Sequence, residues 1–115
     1  MRVWRLRPGG EFERVRQSGR SYPHRLLVVI VQPRSEAPDA PPRVAVVAGR
    51  KLGTAVRRNR ARRWLREAVR QVYAHLPPGI DMIVMARAPL LQSDLAGITT
   101  ALSSTLQRAQ VWQAD

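Results

Sequence analysis

Three runs of aliphatic and β-branched residues punctuate the chain: Arg25–Gln32 (RLLVVIVQ), Arg43–Ala48 (RVAVVA) and Ile80–Ala86 (IDMIVMA). Short apolar runs of this kind, bounded by turn-forming residues, predict strands, and the first is apolar enough to be a central strand covered on both faces. Ser21–His24 predicts a fourth, shorter strand, which Pro23 confines to a sheet edge. Between the strands the period changes to that of a helix. Phe12 and Val15 mark a short helix over residues 10–17, stopped by Gly19. Ala61, Leu65, Ala68, Val69, Val72 and Leu76 fall on one face of a long helix that Thr54 caps and Pro77, Pro78 and Gly79 end. Leu95, Ile98, Leu102, Leu106 and Ala109 align along a last helix, for which Ser93 is the expected cap. Residues 1–9 read as an extended basic arm, with Trp4 and Leu6 turned toward the body. Residues 33–42 carry Pro33, Pro38, Pro41 and Pro42 and read as a flexible surface loop; residues 113–115 read as a frayed tail.

This order predicts a single α+β domain over residues 1–115, a sandwich of helices on a small mixed sheet. The two strands flanking the proline-rich loop are expected to be antiparallel neighbours. At 115 residues the chain is long enough for one core and too short for two.

Charge changes the picture. The segment from Arg50 to Arg70 (RKLGTAVRRNRARRWLREAVR) holds nine of the 20 basic residues and a single acid, Glu67, in a chain of net charge +12. On the helix wheel Asn59, Arg60, Arg63, Arg66 and Arg70 lie opposite the apolar face. Glu67 is placed to pair with Arg63 and Arg70. Arg50, Lys51, Arg57 and Arg58 crowd the Gly53 turn at the helix N-terminus, where the helix dipole disfavours cations but exposed N–H groups bind phosphate. Arg58 extrapolates to the apolar side and must snorkel or sit in an irregular first turn. Such concentrated, unbalanced charge calls for a polyanionic partner, and its uniformity suits phosphates better than base edges. A membrane-surface helix fits worse, because the apolar face is needed for the core.

Other chemistries find little support. There is no cysteine, and the two histidines, His24 and His75, are far apart. No apolar run has the length of a membrane span or a signal peptide, which points to a cytoplasmic protein. An autonomous nuclease needs clustered carboxylates or a histidine pair. The eight acids, Glu11, Glu13, Glu36, Asp39, Glu67, Asp81, Asp94 and Asp115, are scattered, apart from a lone Glu11/Glu13 pair.

The run from Lys51 to Glu67, KLGTAVRRNRARRWLRE, resembles the signature of the bacterial ribonuclease P protein subunit, with Arg58-Asn59-Arg60 as its RNR motif. Arg5-Leu6, Glu11-Phe12, Gly19-Arg20-Ser21, Arg43-Val44-Ala45 and Ile83 to Arg87 extend the likeness over nearly the whole chain. The resemblance implies an αβββαβα fold with a left-handed βαβ crossover around the RNR helix, like that of some ribosomal proteins. It implies that a separate RNA subunit holds Mg²⁺ and cleaves the 5′ leader from precursor tRNA, so the protein has no catalytic residues and no metal site. Arg50, Lys51, Arg57, Arg58, Asn59, Arg60, Arg62, Arg63, Arg66 and Arg70 are then the RNA-binding set. A cleft for the single-stranded leader falls to Phe12, Arg16, Ile30 and Arg87. The chain departs from the family where Arg16 and Ile30 stand at positions often aromatic, so fewer bases can stack. The alternative is a structural, ribosomal-type RNA-binding protein with no part in tRNA processing.

Overall fold

The computed structural model describes residues 5–113, so the expectation for Trp4 lies outside the described residues, as do residues 114 and 115 of the expected frayed tail. The chain order is α1 (Gly10–Ser18), β1 (Arg20–Pro23), β2 (Leu27–Pro33), β3 (Arg43–Val47), α2 (Ala55–Val72), β4 (Ile80–Ala86) and α3 (Leu95–Arg108). Single 3₁₀ turns at Arg50–Leu52, Tyr73–His75 and Ala88–Gln92 join the later elements. The αβββαβα order of the resemblance is therefore present.

The sheet runs β1-β2-β4-β3. β2 is antiparallel to both β1 and β4, while β3 and β4 are parallel and joined through α2. The expected pairing of β2 with β3 is thus wrong: the two run in opposite directions, but β4 lies between them. The reason is burial. Five successive residues of β4, Ile80 to Val84, are buried, and only a central position covers both edges and both faces of such a strand. The proline-rich loop is long enough to cross the two strand spacings, about 10 Å, that this order requires.

That loop is also tied down along its length. Arg34 N–H donates to Gly79 O at 2.7 Å, Gly79 N–H donates to Ala40 O at 2.8 Å, and the Tyr73 hydroxyl donates to Pro42 O at 2.7 Å. Gly79 has φ +77°, and a Cβ there would lie 2.5 Å from Pro38 O, so the loop packs where only glycine fits.

Each sheet face has its own core. On one, Leu27, Val29, Val31, Val44, Met82 and Val84 pack against α2 and α3. The expected apolar face of α2 is the buried one: Ala61, Leu65, Ala68 and Val69 are wholly enclosed. In α3, Ile98, Leu102 and Leu106 are buried, but the cap is Asp94, whose carboxylate accepts from Gly97 N–H at 2.8 Å, and not the expected Ser93. The acidic side chain sits one residue nearer the helix, in reach of its free N–H groups.

The second face is smaller. Leu6, Val15, Ile30, Ala45 and Ile83 form its core, with Phe12, Val28, Val47 and Met85 partly exposed at its margin. The register arranges this face in three rows across the sheet: Gln32–Asp81–Arg43, Ile30–Ile83–Ala45, and Val28–Met85–Val47. Helix α1 lies over the first two, with Val15 buried against the middle row. The third row is half open. Beyond β3, Arg5 and Leu6 extend the sheet by a parallel bridge from Arg5 to Val44.

Candidate nucleic-acid interface

Thr54 caps α2 as expected, its hydroxyl accepting from Arg57 N–H at 3.3 Å. The first turn is regular, and Arg58 is half-buried, which settles the alternative in favour of snorkelling. Gly53, at φ +110°, turns the chain from the Arg50–Leu52 turn into the helix. The Arg57 side chain folds back over this glycine and donates to Leu52 O at 2.8 Å. It therefore braces the turn as well as adding charge.

Along α2, Asn59, Arg60, Arg63, Arg66 and Arg70 are exposed. Arg62 is half-buried and donates to Asn59 Oδ1 at 2.9 Å. Glu67 reaches Arg70 at 3.7 Å but forms no pair with Arg63, correcting that expectation; the single acid serves one arginine. Among the described residues, Arg50, Lys51, Arg58, Arg60, Arg63 and Arg66 have no ion pair at all. Val56, 71% exposed, stands within this cationic front as an apolar side chain with no packing role in the fold.

Two cavities adjoin the front. One, of about 660 Å³, has Val47, Met85 and Ala86 in its lining and Arg50, Lys51 and Arg87 around it. It opens on the half-exposed third row of the sheet. The other, of about 260 Å³, lies at the β3 edge, where Leu6, Pro8, Phe12 and Val44 meet Arg5, Arg62 and Arg66. Three guanidinium groups converge there with no carboxylate. Burial, and then repulsion from Arg5 and Arg62, pulls the Arg66 pKa below its usual value. A bound anion would relieve that repulsion.

The four residues expected to line a leader cleft are dispersed. Phe12 is half-buried beside the second cavity. Arg87 borders the first, its guanidinium donating to His24 O at 3.1 Å. Arg16 is exposed and paired with Glu13 at 3.0 Å. Ile30 is only 6% exposed, in the middle row under α1, where it supports the floor of a groove and does not present a surface. Sequence reasoning missed Arg5, whose part depends on the bridge to Val44, and the open row of Val28, Met85 and Val47, which depends on strand register. It also left Asp81 unassigned. Asp81 is wholly buried and bound by Arg14 and Arg43. Trp64, half-buried, packs against the main core.

No group of three or more His, Cys, Asp or Glu side chains among the described residues could hold a metal ion, and no helix there is long and apolar enough to cross a membrane. Fold and surface together define a small α+β RNA-binding protein built around one arginine-rich helix. The ribonuclease P family model matches residues 1–110. The chain is 43% identical over 111 residues to the ribonuclease P protein component of Herpetosiphon aurantiacus, covering 96% of this chain and 88% of that one. It is 37% identical to the protein component of a Roseiflexus species, covering 99% and 92%. Among solved structures, the Staphylococcus aureus RNase P protein superposes with a TM-score of 0.82 at 28% identity, covering 97% of this chain and all of that one. The Thermotoga maritima RNase P protein superposes at 0.77 and 30% identity, covering 90% and 96%. The chain belongs to the ribonuclease P protein family. It is the RNA-binding protein component of that ribonucleoprotein endonuclease, assisting a catalytic RNA in removing the 5′ leader of precursor tRNA.

Proposed function

We propose a division of labour between the two faces of the cationic front, in a cytoplasmic ribonucleoprotein whose RNA subunit holds the Mg²⁺. The exposed ridge of α2, Asn59, Arg60, Arg63, Arg66 and Arg70, with the Arg50–Arg58 turn region and Arg62, docks the catalytic RNA through its phosphates. The 5′ leader of precursor tRNA runs over the open Val28–Met85–Val47 row, with Phe12 at the α1 side and Arg50, Lys51 and Arg87 at the rim. Arg16 reaches the leader only by leaving Glu13, and Ile30 acts from beneath.

The observation that carries this reading is the first cavity: an apolar strip of sheet bordered by cations with no ion pairs among the described residues. Apolar floor and cationic rim together suit a single strand, whose bases offer flat apolar faces and whose phosphates offer charge. A purely phosphate-binding protein has no need of the floor.

The test is reconstitution. Adding this protein to a bacterial ribonuclease P RNA at low Mg²⁺ should restore cleavage of precursor tRNA. Phe12→Ala should then weaken binding of a precursor with a leader more than binding of leaderless tRNA. Equal losses would make Phe12 a core residue only. No stimulation of cleavage would count against the docking of the catalytic RNA on the α2 ridge.

A further inference from the structure

Asp81 belongs to neither RNA-facing surface, yet it has the most crowded ionic surroundings among the described residues. Its side chain is wholly buried at the end of the sheet covered by α1. Arg43, on the neighbouring strand, donates to both carboxylate oxygens, at 2.9 and 2.8 Å. Arg14 of α1 donates to Oδ2 at 3.0 Å, and Arg34 Nε lies 3.7 Å from Oδ1. Arg43 also donates to Glu11 Oε1, back on α1, at 2.9 Å. These bonds, led by that to Asp81, hold Arg43 in its charged form more firmly than an ordinary arginine. Two α1 side chains one turn apart thus close an ionic ring with β3 and β4.

This ring supplies what apolar packing does not. Val15 is the one fully buried residue of α1. With only the half-buried Phe12 beside it, this sparse apolar packing sets the distance of the helix from the sheet more firmly than its tilt. At about 100° per residue, Glu11 and Arg14 lie on one side of Val15, and Phe12 and Arg16 on the other. Rocking about Val15 would therefore move Phe12 toward or away from the open Val28–Met85–Val47 row. The ring holds one side of the helix and so sets the gap on the other.

We infer that Asp81, through Arg14 and the Arg43–Glu11 pair, is a positioning residue that sets the width of the groove between α1 and the open sheet row, and with it the grip on the single-stranded leader. This rests on the leader-groove reading above. Asp81 touches no RNA; it acts through α1.

The test uses the reconstituted holoenzyme and two variants. Asp81→Asn keeps the volume and one acceptor but loses the charge. Arg14→Met removes only the α1 strut, leaving Asp81 paired with Arg43, and serves if Asp81→Asn does not fold. Each should bind a leader-bearing precursor about tenfold more weakly than wild type, equivalent to losing about 1.4 kcal/mol of contact. Binding of leaderless tRNA and of the catalytic RNA should be unchanged. Loss of affinity in equal measure for both substrates, or retention of full leader dependence by the folded variants, would overturn the inference and leave Asp81 a stabilising residue. If the wild-type holoenzyme itself does not distinguish leader-bearing from leaderless substrate, the leader-groove reading falls and takes this inference with it. If wild type distinguishes them and Phe12→Ala abolishes the difference while both ring variants keep it, only the role of Asp81 is lost.

Discussion

Arg14, Arg34 and Arg43 surround Asp81 at one end of the sheet, while Arg58, Arg60, Arg63 and Arg66 stand along α2 with no ion pair among the described residues. The same side chain does two different things. In the first group every guanidinium is within reach of an acid, Glu11 and Glu36 included, and the charges balance. At its centre Asp81 is wholly buried and depends on its arginines, because a charge left alone in the interior is costly. In the second group no acid offsets the charges, and the fold is held by the apolar face beneath them; the Arg66 pKa is lowered by burial and then by repulsion from Arg5 and Arg62. Balanced arginines tie elements together; unbalanced ones are left open, as the proposed docking of a polyanionic RNA requires.

The largest effect expected from breaking this contrast is at its balanced end. Asp81→Ala takes the shared partner from Arg43 and Arg14, which stay partly exposed while Arg43 keeps Glu11, and should cost about 1–3 kcal/mol of stability, read from chemical denaturation. A loss no greater than that of a surface substitution would mean that water replaces the carboxylate freely. At the unbalanced end, the double variant Arg60→Ala with Arg63→Ala should leave stability unchanged or slightly raised. Its affinity for the catalytic RNA should fall about tenfold or more, and the slope of log affinity against log salt should become shallower by about 1.4–1.8, as two phosphate contacts are lost. An unchanged slope would show that these arginines do not meet phosphates.

Smaller effects separate the supports of α2. Tyr73→Phe removes the bond to Pro42 O and should cost about 1 kcal/mol at neutral pH. Burial raises the Tyr73 pKa, so the folded state favours the neutral phenol. Its contribution is full below the unfolded value of about 10 and is lost as pH rises through the folded value. Wild-type stability should therefore decline above about pH 10 more steeply than that of the variant. Parallel curves would mean that the hydroxyl ionises alike in both states. Thr54→Ala removes the cap and should cost about 0.5–1 kcal/mol, seen as a lower denaturation midpoint with catalytic-RNA binding retained. A large loss of binding instead would make Thr54 part of the RNA contact.

Much of this was legible from one dimension. The apolar period placed Ala61, Leu65, Ala68, Val69 and Val72 on the buried face of α2, and all are buried. Helix periodicity is local, so nothing distant can shift it. Charge imbalance over residues 50–70 marked the segment proposed above to face RNA for the same reason, since acids are missing from its own neighbourhood. The strand pairing was not legible, because a strand's partner depends on which arrangement buries β4 best. Nor was the role of Arg43. In sequence it is one more arginine at the start of a strand; only the register that sets it beside Asp81 makes it part of a structural ring.

The amino-acid sequence by itself thus determined the elements, the buried faces and the cationic face of α2, because each follows from spacing within a few turns of chain. Tertiary structure alone decided that β4 separates β2 from β3, that the Val28–Met85–Val47 row stays half open, and that Asp81 gathers arginines from α1, β3 and the loop. Those features join residues 30 to 70 positions apart, whose meeting is set by the packing of whole elements and not by any local preference.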